Sequence, residues 1–124
     1  MLHFFPIMER VMTSGPSVLK VYEAGTHTIV GFSRNGVQRP SDVPRWHSEL
    51  VKLVELHKCE ALTFDLTGVR KLSNAMLDIM YALGQRGVNV RVYNPSTLVR
   101  DVLRLTRLNG KVSEVALLYP AETA

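Results

Sequence analysis

Residues 61–93, ALTFDLTGVRKLSNAMLDIMYALGQRGVNVRVY, change hydrophobic period twice. Over residues 61–66 the pattern alternates. Leu62, Phe64 and Leu66 take one side and Ala61, Thr63 and Asp65 the other, as in a strand. From about Ala75 to Arg86 the period lengthens. Met76, Ile79, Met80 and Leu83 share one side of a helix, with Leu77 beside them, and Asp78, Ala82 and Gln85 lie opposite. Gly87 ends that helix, and residues 88–93 return to a strand pattern. A strand–helix–strand unit this short predicts parallel neighbours joined by a right-handed crossover, which places the chain in the α/β class.

The flanking segments extend that class. VLKVYEAGTHTIVGFS, residues 18–33, predicts two strands about a turn at Ala24-Gly25-Thr26, with Gly25 available for a positive φ. Residues 34–44 form a loop with an Asn-Gly pair and two prolines, leading into a helix capped by Ser41 or Asp42 with Pro44 in its first turn. Trp46, Leu50, Leu53, Val54 and His57 then recur at helical spacing. After the strand at 88–93, Asn94-Pro95-Ser96 is a turn, and Ser96 caps a third helix that ends at Asn109-Gly110. VSEVALLY, residues 112–119, fits a short strand or a half-turn. The expectation is one α/β domain over residues 17–124, a mixed four- to five-stranded sheet with three or more helices. Residues 1–16 precede it as a flexible arm, in which Met8 and Met12 are alternative starts to Met1.

Composition narrows the function classes. A chain of 124 residues makes one core rather than two. No apolar run approaches the roughly 18–20 residues of a membrane helix, so membrane insertion is not expected. The apolar patch in MLHFFPIMERVM is too short and poorly flanked for a secretory signal. The single cysteine, Cys59, leaves no internal disulfide and fits a reducing cytoplasm. Of the four histidines only His57 stands close to Cys59, and no second pair completes a zinc site. There is no Gly-rich phosphate-binding motif, and Asp65, Asp78 and Asp101 sit on separate elements, unpaired as acid and base. The expectation is therefore a protein without catalytic residues, metal or cofactor.

From residue 61 onward the chain resembles the STAS domain family, named for sulfate transporters and anti-sigma factor antagonists. Asp65-Leu66-Thr67-Gly68-Val69 is similar to the family's D-L-S-G-V strand end, and Asn94-Pro95-Ser96 to its N-P turn. Val99, Leu103 and Leu108 fit the helix pattern that follows. The resemblance spans about residues 18–118 and is specific over about 61–111. It implies a signalling module that docks a protein partner, an anti-sigma factor acting as a serine kinase, under control of a phosphorylated serine in a D-S-S-G-L turn. Laid on this sequence, the family Asp falls on Ser73, the acceptor Ser on Asn74, the next Ser on Ala75 and the Gly on Met76, while Leu77 is kept. Asn74 accepts no phosphoryl group, but it is a good helix N-cap. The resemblance thus implies a docking surface of Ser73, Asn74, Ala75, Met76 and Asp78, bordered by Asp65, without the usual switch. Ser73 keeps a hydroxyl one residue upstream, open to modification at a shifted position.

The formal net charge of +4 permits an acidic partner without demanding nucleic acid. Arg100, Arg104, Arg107 and Lys111 recur at spacings of four, three and four, a basic stripe along the third helix opposite Leu98, Val99, Val102, Leu103 and Leu105. The stripe reads as a solvated face, a contact for an acidic protein, or, less well for want of interleaved aromatics, a nucleic-acid or anionic-lipid contact. No nucleic-acid partner is expected. The family also includes stand-alone accessory subunits of lipid- or anion-transport complexes, which is the alternative function. Oligomeric state is open, a homodimer included.

Overall fold

The computed structural model describes residues 19–32 and 40–116. The arm over residues 1–16, the alternative starts, most of the 34–44 loop and the end of the tail lie outside the described residues. Five strands and three helices follow in the order β1 (Leu19–Glu23), β2 (His27–Phe32), α1 (Val43–His57), β3 (Ala61–Asp65), α2 (Asn74–Gln85), β4 (Asn89–Tyr93), α3 (Thr97–Leu105) and β5 (Ser113–Val115). A short 3₁₀ turn, Pro40–Asp42, leads into α1. The sheet order is β1-β2-β3-β4-β5, antiparallel between β1 and β2 and parallel from β2 onward. This is the mixed sheet the sequence predicts. The open question of the tail is settled as a three-residue edge strand.

Each crossover moves one strand further in the same direction, so right-handed connections put all three helices on one face. The core has that composition. Val30, Leu62, Phe64, Val90 and Val92 project from the sheet into one cluster with Trp46, Leu50 and Leu53 of α1, Met76, Ile79, Met80 and Leu83 of α2, and Val99 and Leu103 of α3. The alternation read over residues 61–66 thus marks the helix-covered side of the central strand, where Leu62 and Phe64 are fully buried.

Three local readings are corrected. Gly25 is not in the positive-φ region. The turn is held instead by Thr28, whose Oγ1 donates to the Gly25 carbonyl at 2.8 Å and accepts its N–H at 3.1 Å. The strand glycine Gly31 has the sharper requirement, because a Cβ there would lie 2.6 Å from the ring of Tyr22, the residue at the bulge in β1. At α1, Asp42 holds the N-cap position but its side chain makes no capping hydrogen bond; the 3₁₀ turn and Pro44 start the helix instead.

The third correction has functional weight. α3 ends at Leu105, not at Asn109-Gly110. Thr106 has extended backbone angles, and its Oγ1 both donates to the Leu103 carbonyl and accepts the Leu108 N–H. A side chain that bonds the local backbone in this way competes with the next helical turn. Arg107 and Lys111 therefore stand in the turns beyond the helix.

Candidate functional site

In a parallel sheet the loops that leave the strand carboxyl ends lead into helix N-termini, which present unbonded N–H groups and the positive end of the helix dipole. Here that edge carries the β3–α2 loop and the β4–α3 turn, which hold all the segments of the family resemblance except the third helix itself.

The first segment is built by backbone hydrogen bonds. The Val69 N–H donates to the Leu66 carbonyl at 3.0 Å, closing a turn with Gly68 at φ +80. A positive φ at that position is what a type II turn requires and what glycine supplies. The Asp65 carboxylate accepts the Thr67 N–H at 3.0 Å, so the aspartate organises the turn that follows it. The next strand meets this turn directly. The Leu66 N–H donates to the Tyr93 carbonyl at 2.9 Å, and the Asn94 amide donates to Thr67 Oγ1 at 3.1 Å. Asn94 has φ +55, a left-handed conformation that asparagine tolerates better than most side chains. Two motifs 27 residues apart in the chain are thus one hydrogen-bonded unit.

The second segment is the start of α2. Val69 and Leu72 are buried and hold the loop down onto the core. Ser73, not Asn74, is the N-cap: its extended backbone precedes the helix and its Oγ accepts the Met76 N–H at 3.1 Å. Asn74 is the first helical residue and is exposed. The reading of Asn74 as cap is therefore wrong by one residue, for a steric reason. A cap needs non-helical φ and ψ, and Asn74 already lies within the helix. Ser73→Ala is expected to destabilise the fold by about 1 kcal/mol, and Asn74→Ala by less than about 0.5 kcal/mol. Urea unfolding of the two variants checks the order; a larger loss at residue 74 reassigns the cap.

Of the expected contact residues, Asn74 and Asp78 are exposed, while Ser73, Ala75 and Asp65 are half-buried. Met76 is fully buried within the core cluster, so it supports the turn from beneath and is corrected from surface to core. Its position in the apolar period of the helix carried that signal, whereas its place in the family motif pointed the other way. The carboxylate of Asp78 accepts from Arg107 at 2.9 Å, and the Arg107 guanidinium lies 4.1 Å from the centre of the Tyr81 ring. This arginine clamps the turn after α3 onto α2.

The basic stripe does not survive as a stripe. Arg100 and Arg104 are on α3, with Arg107 and Lys111 beyond its end. Arg100 makes two hydrogen bonds of 2.9 Å to Glu114 of β5, and Arg104 pairs with Asp101 at 2.8 Å. The bonded guanidinium holds the Glu114 carboxyl below its ordinary range and the carboxylate raises the pKa of Arg100. Three of the four cations thus face carboxylates. The apolar side of α3 is also narrower than the sequence suggests: Val99 and Leu103 are buried, but Leu98 and Leu105 are exposed.

Among the described residues no group of three or more His, Cys, Asp or Glu side chains is placed to hold a metal ion. Cys59 is buried and its Sγ donates to the Ala61 carbonyl at 3.0 Å. No helix of the described residues is long and apolar enough to cross a membrane. A scan against protein-family models finds no match for the chain, and a search of curated proteins finds none.

Proposed function

We propose that this chain is a STAS-like binding module that docks a protein partner at the carboxyl edge of its sheet and lacks the acceptor serine of that family's switch. One observation carries the reading. The Thr67–Asn94 hydrogen bond joins the D-L-T-G-V and N-P motifs into one edge, and the same edge carries the start of α2. The contact surface is then Ser73, Asn74, Ala75 and Asp78, with Asp65 and Thr67 on its border and Met76 packed behind. The partner class the resemblance favours is an anti-sigma factor of the serine-kinase type, in a cytoplasmic partner-switching pathway. The module itself carries out no chemistry.

The position of Ser73 bears on the switch. Its hydroxyl oxygen is engaged as the helix cap and the residue is half-buried, so a phosphoryl group there would have to replace the capping bond. Asn74, at the acceptor position, has no hydroxyl to modify.

Capture from bacterial lysate by the immobilised protein, with mass-spectrometric identification, tests the reading when run beside Asn74→Asp. A carboxylate in the first helical turn is compatible with the helix dipole, so the variant folds and places negative charge where the family carries phosphate. The expected result is a kinase-like anti-sigma factor held by the wild type and lost at least about tenfold by Asn74→Asp, a change of about 1.4 kcal/mol. Equal capture by both removes the turn as a charge-sensitive docking site. An ATPase subunit of a lipid- or anion-transport complex in its place selects the accessory-subunit function.

A further inference from the structure

At the opposite end of β4 from the docking edge lies a cavity of about 230 Å³, between the last turns of α2, the start of β4 and the turn beyond α3. The buried residues Met80, Val88 and Leu108 give it apolar walls. Gln85, Asn89 and Lys111, all exposed, supply the polar part of the lining. Lys111 is the cation of the basic quartet that no carboxylate of the described residues pairs with. The side-chain amides of Gln85 and Asn89 also make no hydrogen bond to another described residue. The backbone nevertheless holds Lys111 at the rim. Its N–H donates to the Leu108 carbonyl at 2.9 Å in a turn with Gly110 at φ +79, and Arg107 fastens that turn to Asp78 and Tyr81. Three polar groups without protein partners thus gather around one apolar hollow.

Gly84, in the same lining, adds an independent observation. It is the penultimate residue of α2, where glycine forms helix poorly. It is not in the positive-φ region, and a Cβ there would meet nothing within 4 Å. Neither the backbone nor the packing of the chain requires glycine at this place. What the missing side chain leaves is room at the cavity.

We propose that this cavity binds a small carboxylate with an apolar body. The lining selects that class. It holds one ammonium group and no carboxylate. The carbonyls of Ala82, Leu83 and Gly84 at the end of α2 already accept the N–H groups of Arg86, Gly87 and Val88. A cationic ligand therefore finds no anionic partner here. An anion finds Lys111 for its charge and the amide N–H groups of Gln85 and Asn89 as donors, which suits the two oxygens of a carboxylate. A dianion such as phosphate is matched less well, because a single cation lines the cavity and the carboxyl end of a helix carries the negative pole of its dipole. The apolar walls take the rest of the ligand. The volume lies below the roughly 300 Å³ at which drug-sized sites begin, so the ligand is limited to about ten non-hydrogen atoms. The cavity shares no residue with the Ser73–Asn74 turn, so this site stands whether or not the docking edge binds a partner.

Phenylacetate, a carboxylate of that size, is the probe. Its titration into isotope-labelled protein, followed in amide correlation spectra, is expected to give saturable shifts at Gly84, Gln85, Asn89 and Lys111. The expected dissociation constant is on the order of 1 mM. Phenylacetamide, the neutral isostere, is expected to bind at least about fivefold more weakly. Lys111→Met keeps the side-chain stem and removes the charge, so phenylacetate should lose about fivefold in affinity and phenylacetamide almost nothing. Gly84→Leu puts a side chain where the room is and improves the helix, so the protein stays folded while binding falls at least about tenfold. The dispersion of the same spectra reports the fold of both variants. Shifts that stay linear to about 20 mM or map away from the cavity, equal affinity for the amide, or wild-type affinity in either variant would each overturn the proposal.

Discussion

Met76→Ala is expected to lower the stability of the fold by about 2–5 kcal/mol, among the largest losses available to a single truncation at the candidate site. Met76 is 0% exposed and belongs to the cluster that joins α2 to the sheet and to α1. Truncation removes the buried thioether and leaves a cavity that a packed core fills only in part. Met76→Leu, nearly volume-conserving, is expected to stay within about 1.5 kcal/mol. Chemical denaturation of both variants is the check. The outcome also decides how binding data near this turn are read. If Met76→Ala weakens partner capture, the cause is a loosened helix start rather than a lost contact, and the Leu variant restores capture. A loss below about 1 kcal/mol for the Ala variant would put the side chain at the surface instead.

Glu49 gives the second large effect, and it depends on pH. The residue is 4% exposed on the core side of α1, and neither carboxylate oxygen has a hydrogen-bond partner. Burial pushes its pKa from 4.5 up to about 7, with Arg45 and Lys52 on the same helix pulling it partly back. The folded state therefore holds this proton more tightly than the unfolded chain. The stabilisation is fully present below pH 4.5, fades as pH rises through that window, and is gone above about 7. A shift of this size corresponds to about 3 kcal/mol between the two limits. Glu49→Gln takes away the titration, so its urea midpoint should exceed that of the wild type at pH 8 and the gap should close or reverse at pH 5. The Gln amide is still buried without partners, which limits the gain at pH 8 to about 1–2 kcal/mol. Equal pH dependence in the two proteins would mean that Glu49 is hydrated in solution.

An unpaired buried carboxylate of this kind is invisible in the sequence. Glu49 stands in HSELVK between Ser48 and Leu50, and as a carboxylate it reads as one more solvated helix position. Only the packing of α1 against the core shows otherwise. Trp46, three residues before it, was legible as core because bulk and helical spacing agree there, and its ring meets Phe32 edge-on at 6.2 Å.

The same division runs through the candidate site. The D-L-T-G-V stretch was legible because each residue type has a local job: Asp65 accepts a turn N–H and Gly68 supplies a positive φ. Ser96 was legible as a cap on the same grounds, and its Oγ accepts the Val99 N–H at 3.1 Å. The cap of α2 was misplaced because Ser73 and Asn74 are adjacent and both cap well; the choice between them is made by where Val69 and Leu72 anchor the loop. The basic stripe failed for a related reason. Helical spacing continues through Arg107 and Lys111 in the sequence, but Thr106 turns the backbone away, and Asp78, Asp101 and Glu114 reach the arginines from two other elements and from α3 itself.

What the sequence by itself determined is what depends on residues within a few positions of one another: hydrophobic period, turn chemistry and the approximate extent of each element. Those local preferences were enough for the α/β class, the parallel β3–α2–β4 unit and the antiparallel pair before it. What only the tertiary structure decided depends on contacts between distant segments. It buried Glu49, brought Asn94 to Thr67, paired the arginines and left Leu98 and Leu105 outside. Burial and charge pairing are set by which surfaces meet when the helices close on one face of the sheet, and no local pattern records that meeting.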